Sequence, residues 1–534
     1  MKPFSVLFLI FIFYHFVGAV EISETFDTTA TRGEISELIW NTLSGDLEPP
    51  IHIFNFNNGS GLESKNIDPG DGRHGVFDIS TYANFSENGD VSSNVIRINT
   101  DQYPILYFKS FDLQATWRIR PTGTQPLVIK VLGDMQIDGE IDCSGEDGEG
   151  ISATLTDLPL GGTGVCGGGK GGNGGNLVTP PTNGDPGGVD LIGGGAGPSI
   201  DLLKGQGGGG GGAYTDNLFT EVQDPTDGDD SAAGVGGLKG IQVADNAFRI
   251  VGGGSGGGGG STFSNATLGE DSVGAGGGAG GGIINIVVLG DVNISATGKV
   301  LANGGAGGGD NGTLRAGGGG GGGGGSISIF TPKNITVDGV VEAKAGAGGL
   351  TNAANGGDGG GGSSGRTWLL DADALLGGGG DANVEPDAEL ASSGFVRYKT
   401  GEFVSESISY DLNNSHPLIN SAILSADLLS DVTLQLAFSN SNNFSAPTWE
   451  TFEGLSQVPS RYMRFRITLN NQSALNPNKV SAVTINYSPF TEDDFEFTGA
   501  CGKVESHPPN QFIFTILLLL LLPILLILGL RRFV

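Results

Sequence analysis

The sequence predicts an all-β protein in which glycine-rich, β-solenoid-like stacked repeats are followed by an antiparallel β-sandwich and one C-terminal transmembrane helix. Strand pairs and glycine tracts recur at intervals near 40 residues between 126 and 393. Alternating strands follow in 394–488, and an uncharged apolar run fills 512–530. A repeat of this length is typical of stacked units that bury their apolar faces against their neighbours.

The repeat is clearest where two stretches align without a gap at an offset of 41 residues, one from Asn293 and the other from Asn334. Each contains a strand, a turn at a fixed glycine, a second strand and then a glycine tract. A third copy, with a small length difference, starts at Gly133. The alignment predicts that these stretches occupy equivalent positions in successive repeats.

Glycine accounts for 98 of the 534 residues. Because a free glycine chain has the most conformational entropy to lose, long tracts often form flexible linkers, and this alternative stays open. Regular alternation with β-branched strands favours order instead. The tracts would then form close loops at the edge of a β-solenoid or pack as polyproline-II helices, in which only glycine allows such close approach.

Changes in composition divide the chain into segments. We predict, in order, a signal peptide (1–19), an N-terminal β region (20–125), the glycine-rich repeats (126–393), a β-sandwich module (394–488), a spacer (489–511), a transmembrane or sorting helix (512–530) and a cytoplasmic basic end (531–534).

Both ends of the chain indicate export. Apolar residues follow a basic start, and small residues up to Ala19 predict signal cleavage there, with an uncleaved anchor as the alternative. The uncharged segment 512–530 is long enough to span a bilayer, and Arg531 and Arg532 would place the C-terminus in the cytoplasm. A permanent anchor, a sorting tail and a lipid-anchor signal are the three hypotheses for this segment. We therefore expect an envelope or outer-surface location with at least transient membrane anchoring.

Net charge and cysteine content further limit the possible partners and the cellular compartment of the protein. A formal net charge of −31 disfavours nucleic acid, because binding it requires neutralising Lys and Arg. Cys143 and Cys166 flank one glycine-rich loop and are candidates for a disulfide in an oxidising compartment. Cys501, close to the apolar segment, is a candidate for processing or lipidation, with a free thiol as the equal alternative.

No catalytic, cofactor or metal site is predicted. The five histidines lack metal-ligand spacing, and no nucleophile-elbow motif lies in a strand–helix context. Calcium is the one candidate ion, because oxygen ligands cluster in two loops, although solvated turn aspartates are the favoured explanation of both clusters. These candidates are Asp224, Asp227, Asp229 and Asp230 in one loop, and Asp68 and Asp71 in the other.

Three segments carry resemblances. The pattern Ile335-x-Val337-x-Gly339-x-Val341-x-Ala343, followed by a glycine tract, resembles the glycine-rich repeat surface proteins of Gram-negative bacteria over roughly 90–380. The order of Cys501, spacer, apolar run and terminal arginines resembles bacterial C-terminal sorting signals, whose tail a membrane protease removes. The stretch 461–466, with the strand after it, resembles galactose-binding-like jelly-roll modules. The first two resemblances imply a location more than an activity, whereas modules of the third kind often bind glycans or serve only as spacers.

The resulting hypothesis is an exported cell-surface structural or adhesive protein without catalytic activity. Its expected partners are the membrane, through the C-terminal helix, and surface glycans or other cells. The alternative is a polysaccharide-binding or polysaccharide-cleaving surface protein, which aromatic and acidic residues aligned on one solenoid face would favour. Ice binding is a third hypothesis.

Overall fold

A computed structural model describes residues of this chain between 20 and 504. Its longer continuous stretches are 64–78, 93–154, 156–186, 253–264, 271–310, 314–351, 356–373, 417–427, 429–444, 460–470 and 479–488, with shorter pieces between them.

The described secondary structure consists of strands and one short 3-10 turn, Leu429–Asp431. The first strands are β1 (Val20–Glu24), β2 (Ile39–Asn41), β3 (Asp46–Glu48), β4 (Ile51–Phe54) and β5 (Ser64–Ile67). The next are β6 (Val76–Phe77), β7 (Val95–Ile96), β8 (Leu106–Phe108), β9 (Ser110–Leu113), β10 (Arg118–Ile119), β11 (Leu127–Val131), β12 (Met135–Ile137) and β13 (Glu140–Asp142). Four short strands follow: β14 (Ile200–Asp201), β15 (Tyr214–Thr215), β16 (Gly240–Ile241) and β17 (Thr262–Phe263).

The second half of the chain contributes the remaining strands. These begin with β18 (Ile283–Val288), β19 (Val292–Ile294), β20 (Lys299–Leu301), β21 (Ser326–Phe330), β22 (Ile335–Val337), β23 (Val340–Glu342), β24 (Arg366–Leu370), β25 (Gly377–Gly378) and β26 (Val384–Glu385). They end with β27 (Phe395–Tyr398), β28 (Phe403–Glu406), β29 (Tyr410–Asp411), β30 (Leu418–Ala426), β31 (Val432–Ser439), β32 (Glu450–Thr451), β33 (Ser456–Gln457), β34 (Tyr462–Leu469), β35 (Val480–Ser488), β36 (Phe497–Thr498) and β37 (Lys503–Val504).

Three parallel sheets occupy the middle of the chain. Sheet I consists of β6, β9, β12, β19, β22 and β25, sheet II of β7, β10, β13, β20, β23 and β26, and sheet III of β8, β11, β18, β21 and β24. Successive passes of the chain add one strand to each sheet, so Ile129, Ile286 and Ile329 are register partners in sheet III. The long segment between β13 and β18 leaves this order intact.

One apolar core lies between the three sheets. Short strands such as β12 and β22 alternate buried and half-buried residues, which is the two-residue period of a strand with one face in a core. Ile137 in sheet I, Ile141 in sheet II and Ile129 in sheet III all belong to this core and are inaccessible to solvent. Burying each side chain of this kind stabilises the fold by about 1.5–3 kcal/mol.

Polar side chains on the turns also join successive passes. The Asp134 carboxylate accepts a hydrogen bond from the Asp291 amide at 3.0 Å. The Asp291 carboxylate in turn accepts from the Asn334 amide at 3.1 Å. Because each side chain holds the backbone of the next pass, the turns before sheet I are fixed in register.

An ion network lies along the outer face of sheet II. The Asp142 carboxylate contacts both Arg118 and Arg120, and Arg118 also pairs with Glu140 at 2.9 Å. Burial acts to raise the pKa of Asp142, but hydrogen bonds from Ser144 and the charges of the two arginines outweigh it. The pKa of Asp142 therefore lies below its ordinary value.

Two antiparallel sheets form around the C-terminal strands. Sheet IV contains β1, β2, β3, β30, β33 and β35, and sheet V contains β28, β29, β31, β32 and β34. A second core joins them, with Ile419 and Ile485 contributed by sheet IV and Phe465 and Ile467 by sheet V. β1 pairs along its full length with β35, and β4 pairs with β27. The N-terminal strands are therefore built into sheets with C-terminal ones.

The fold class predicted from the sequence is corrected by this arrangement. The described residues form mainly parallel sheets of five and six strands, and the antiparallel sheets are not a separate C-terminal module. The glycine tracts are not loops at a sheet edge, because their amides donate hydrogen bonds to the carbonyl oxygens of other tracts. The antiparallel sheets take strands from both ends of the chain.

The helical element of the predicted fold class is corrected for the described residues. Strands and glycine segments make the backbone hydrogen bonds of the described residues, and within those residues no helix is long and apolar enough to cross a membrane. The segment 512–530, together with Ala19 and Cys501, lies outside the residues that the structure describes.

Candidate interaction surface

Twelve extended segments, most of them glycine-rich, pack side by side, and we call them the glycine bundle. They are 143–150, 159–165, 167–176, 179–186, 193–197, 205–212, 253–262, 272–282, 302–310, 316–325, 343–351 and 356–365. Hydrogen bonds between neighbouring segments recur every third residue. Three residues per turn is the period of a polyproline-II helix. Such a helix has no internal backbone hydrogen bonds, so its N–H and C=O groups must find partners outside the helix.

The segment 272–282 shows how the bundle is built. Its successive amides donate to three neighbours in turn: Ala275, Gly278 and Gly281 donate to 316–325, Gly274, Gly277 and Gly280 to 167–176, and Gly276, Ala279 and Gly282 to 143–150. Its carbonyl oxygens accept from three other segments, 159–165, 253–262 and 302–310. This segment therefore has six neighbours, as in hexagonal packing of rods.

Close approach of the backbones explains why these positions are glycine. A Cβ atom built on Gly278 would overlap the carbonyl oxygen of Gly305, and one on Gly320 would overlap that of Gly209. The same overlap with a neighbouring carbonyl recurs along the bundle. The packed interior consequently consists largely of backbone, and the side chains buried in it are mostly small ones such as those of Ala275, Ala279 and Ser255.

The bundle has two different ends. At the near end six of its segments run directly into the parallel sheets; for example, residue 302 follows β20, 343 follows β23 and 282 precedes β18. At the far end the segments are joined by turns, such as the one at 177–178. The sheets thus hold one end, and the turns of the other end face away from them.

The disulfide between Cys143 and Cys166 lies at the near end, with Cα atoms 5.9 Å apart. Both cysteines are buried, and Cys166 has a left-handed backbone with φ of 53°. The bond connects the segment that leaves β13 with the turn before 167–176.

Exposed apolar side chains mark the far end. Val178 is 90% exposed, Leu350 62%, Leu160 48% and Leu177 41%. Single exposed apolar residues are common, but four at one end of a rigid bundle point to a contact surface. We call these four residues the far-end patch.

Acidic groups surround this patch. Glu149 and Asp157 line a polar cleft next to Leu160, in which Glu149 accepts a hydrogen bond from the Leu160 amide at 2.7 Å. Asp157 accepts from the Ser152 hydroxyl at 2.8 Å. The patch is therefore apolar, with two acidic groups next to Leu160.

The structure does not gather the calcium candidates into a site. The Asp68 carboxylate pairs with Lys130 at 2.8 Å, and that of Asp71 pairs with Arg73 at 2.9 Å. Asp224, Asp227, Asp229 and Asp230 lie outside the described residues. Within the described part of the chain, no three metal-ligating side chains come together.

Sequence reasoning missed the far-end patch. The signal was the pair Leu177 and Val178, two apolar residues in a turn between glycine tracts, where polar residues are usual. Leu160 and Leu350 gave no signal, because only the packing of segments far apart in sequence brings them to the same end.

Comparison with known proteins adds no relative. No protein-family model, no curated protein and no solved structure matches this chain. The argument for function therefore rests on the geometry.

Proposed function

We propose that this chain is an exported structural or adhesive protein of the cell surface, which acts by contact without catalysis through the far-end patch. The observation that carries the proposal is the six-neighbour packing of the glycine bundle, combined with exposed apolar residues at the end that faces away from the sheets. A rigid support reduces the entropy that a binding surface loses on contact.

Two further observations support export and surface display. A buried disulfide suits an oxidising compartment outside the cytoplasm. The strand pairs and glycine tracts resemble those of Gram-negative surface proteins, which agrees with a display role.

The border of the patch indicates the chemistry of the partner. Exposed leucine and valine gain free energy when an apolar surface covers them, about 1.5–3 kcal/mol for a fully buried side chain. Glu149 and Asp157 beside them favour positive charge on the partner. The best partner surface is therefore apolar with basic groups.

Adsorption of the purified protein to defined surfaces tests the proposal. We expect stronger binding to a mixed methyl- and amine-terminated monolayer than to a carboxyl-terminated one, measured with a quartz microbalance. The double variant Leu177→Asp, Val178→Asp should weaken binding about tenfold or more, since two apolar contacts are lost.

The matched control replaces equally exposed apolar residues outside the bundle. Ile423 is 54% exposed and Leu429 60%, and both lie in or beside the antiparallel sheets. The variant Ile423→Asp, Leu429→Asp should bind as the wild type does. Equal losses in both variants, or none in either, would show that the far-end patch is not the contact surface.

A further inference from the structure

The second core is open along one side, where β30 and β31 are the outer strands of their sheets. β30 pairs with β35 along its length, but on its other side it meets only β33, at Leu418 and Ile419. β31 likewise pairs fully with β34 and meets β32 only at Gln435 and Leu436. Among the described residues, no strand lies beside 421–426 on the side away from β35. We call this stretch the free edge of β30.

Apolar side chains line this open side of the core. Ala422 and Leu424 of β30 and Leu434 of β31 pack against the second core but are only half-buried. The register partners of Ala422 and Leu424 on β35 are Ile485 and Val483, and both are buried. The core is therefore less completely covered at β30 than one strand further in, and an added strand beside β30 would cover it.

The free edge lacks the residues that usually prevent strand addition. Exposed edges commonly carry lysine or proline, because their N–H and C=O groups can pair with another chain. The nine residues of β30 include no charged residue and no proline. Register shifts lie between Ile419 and Ser421 and between Ser425 and Ala426. Regular pairing is therefore confined to 421–425, where alternate residues direct their backbone groups away from β35.

The stretch 421–425 is complementary to itself when two copies run antiparallel. Ile423 then lies opposite Ile423 of a second copy. Ser421 lies opposite Ser425, and Ala422 lies opposite Leu424. Each pair shares one face of the sheet, and no like charges meet, which would oppose pairing. Ile423, which is 54% exposed in a single copy, would be covered by its counterpart.

We propose that this protein forms a symmetric dimer in which the free edge of β30 pairs antiparallel with the same edge of a second copy. Sheet IV then continues across the twofold axis, and one surface patch serves both subunits. The added strand bonds to the free backbone groups and covers Ala422 and Leu424. Self-complementarity favours a second copy over a strand from another protein, which would not require it. This dimer is independent of the far-end patch.

Single cysteines in the full chain test the register of this contact, in a Cys501→Ser background that removes the third cysteine. Ile423→Cys should give a disulfide-linked dimer under mild oxidation, because directly opposite Cα atoms lie roughly 4.5–5.5 Å apart. Ser421→Cys alone should not, since the two copies of that residue would lie roughly 13 Å apart along the strand. The pair Ser421→Cys, Ser425→Cys should cross-link again. Non-reducing gel electrophoresis measures the fraction of doubled mass.

Two further variants separate specific pairing from chance collision. Leu429→Cys is the matched control, because Leu429 is 60% exposed and lies in the turn after β30, away from the twofold axis. It should cross-link about tenfold less than Ile423→Cys, since only pairing raises the effective concentration of the two thiols. Adding Ile423→Lys to the Ser421→Cys, Ser425→Cys pair should lower cross-linking about tenfold, because two lysines would then meet across the axis.

Each outcome of the cross-linking experiment supports or overturns the dimer. Doubled mass with Ile423→Cys, but not with Leu429→Cys or with Ser421→Cys alone, supports it. Equal cross-linking at Ile423 and Leu429 indicates chance collision and overturns it. Absence of cross-linking at Ile423 overturns it as well, and is the result expected if a strand from another protein occupies the free edge.

The dimer and the far-end patch can fail separately. The Leu177→Asp, Val178→Asp variant should cross-link through Ile423→Cys as strongly as the unaltered chain does. Adsorption of the Ile423→Asp, Leu429→Asp control is measured at a dilution at which Ile423→Cys no longer cross-links. The wild type and the control are then both monomers, so loss of the dimer does not alter their comparison.

Discussion

Cys143 and Cys166 are joined where the glycine bundle meets the parallel sheets, and both hold the start of the same core strand. The Cys143 carbonyl accepts a hydrogen bond from the Gly282 amide, and the Cys166 carbonyl accepts one from Ile283, both at 2.8 Å. Ile283 is the first residue of β18. The disulfide therefore ties two glycine segments to the point at which the chain returns to sheet III.

Removing this disulfide should destabilise the protein. The cysteines are 23 residues apart, and closing a loop of this size stabilises a fold by about 3 kcal/mol. We expect Cys143→Ser, Cys166→Ser to lower the free energy of unfolding in urea by about that amount. Adding reductant during unfolding should lower the stability of the wild type but not of the variant. Equal stability of the two proteins without reductant would contradict the role assigned to the bond.

A single methyl group should disrupt the interior of the bundle. Gly320 donates to Gly258 and accepts from Gly278, and a Cβ atom there would overlap the Gly209 carbonyl. We expect Gly320→Ala to destabilise the protein by about 1–3 kcal/mol, the usual effect of overpacking. The comparison is Gly150→Ala at the exposed end of its segment, where the Cβ atom would meet a single backbone oxygen, that of Gly309 at 2.9 Å, so a smaller loss of stability is expected. Comparable melting temperatures for both variants would refute close packing of the bundle.

The carboxylate of Asp142 should contribute stability that depends on pH. Because its pKa is lowered in the folded state, the contribution is present above the unfolded value near 3.9 and is lost as pH falls through the folded value. We expect Asp142→Asn to destabilise the protein at pH 7 by about 3 kcal/mol, since it leaves Arg118 and Arg120 without their buried partner. The difference from wild type should shrink in urea titrations near pH 3. Glu146→Gln, which changes an exposed and more distant partner of Arg120 at 3.9 Å, should have little effect at either pH.

Protonation of His74 should weaken the fold under mildly acidic conditions. Burial lowers the pKa of His74, the charge of Arg73 lowers it further, and Asp71 opposes both effects. Nδ1 of His74 accepts a hydrogen bond from the Tyr107 amide at 3.0 Å, and protonation of that atom would abolish it. The stability contributed by neutral His74 is therefore fully present above the ordinary pKa near 6.5, and it is lost as pH falls through the lower pKa of the folded state. Thermal melts should show a steeper decline from pH 7.5 to 5 for the wild type than for His74→Gln. Parallel profiles would exclude this contribution.

The sequence indicated strands and their recurrence correctly in part, but it could not give their register. The gapless alignment at an offset of 41 residues holds in sheet II, where Val300 pairs with Val341. In sheet I, Asn293 pairs with Thr336, an offset of 43, so the equivalence of Asn293 and Asn334 is wrong. The turn after β19 has four residues and the turn after β22 has two. An alignment of apolar positions cannot detect this difference in turn length.

Some features of the candidate sites can also be predicted from the sequence, and others cannot. The cysteine pair and the alternating pattern of 461–469 can be found in the sequence, because spacing and period are local properties. The neighbours of Arg466 cannot, since Gln435 reaches it only when β31 pairs with β34, and Trp449 only when β32 pairs with β31.

By itself, the sequence determined that this chain makes strands and glycine segments in alternation, because β-branched residues and glycine have strong local preferences. Only the tertiary structure decided that the glycine segments bond to one another in six-neighbour packing and that β1 joins β35. Glycine carries no side chain to encode a partner, and its backbone groups are identical at every position. For the segments that run into the parallel sheets, the neighbours are therefore set by where the sheets place the ends of each segment.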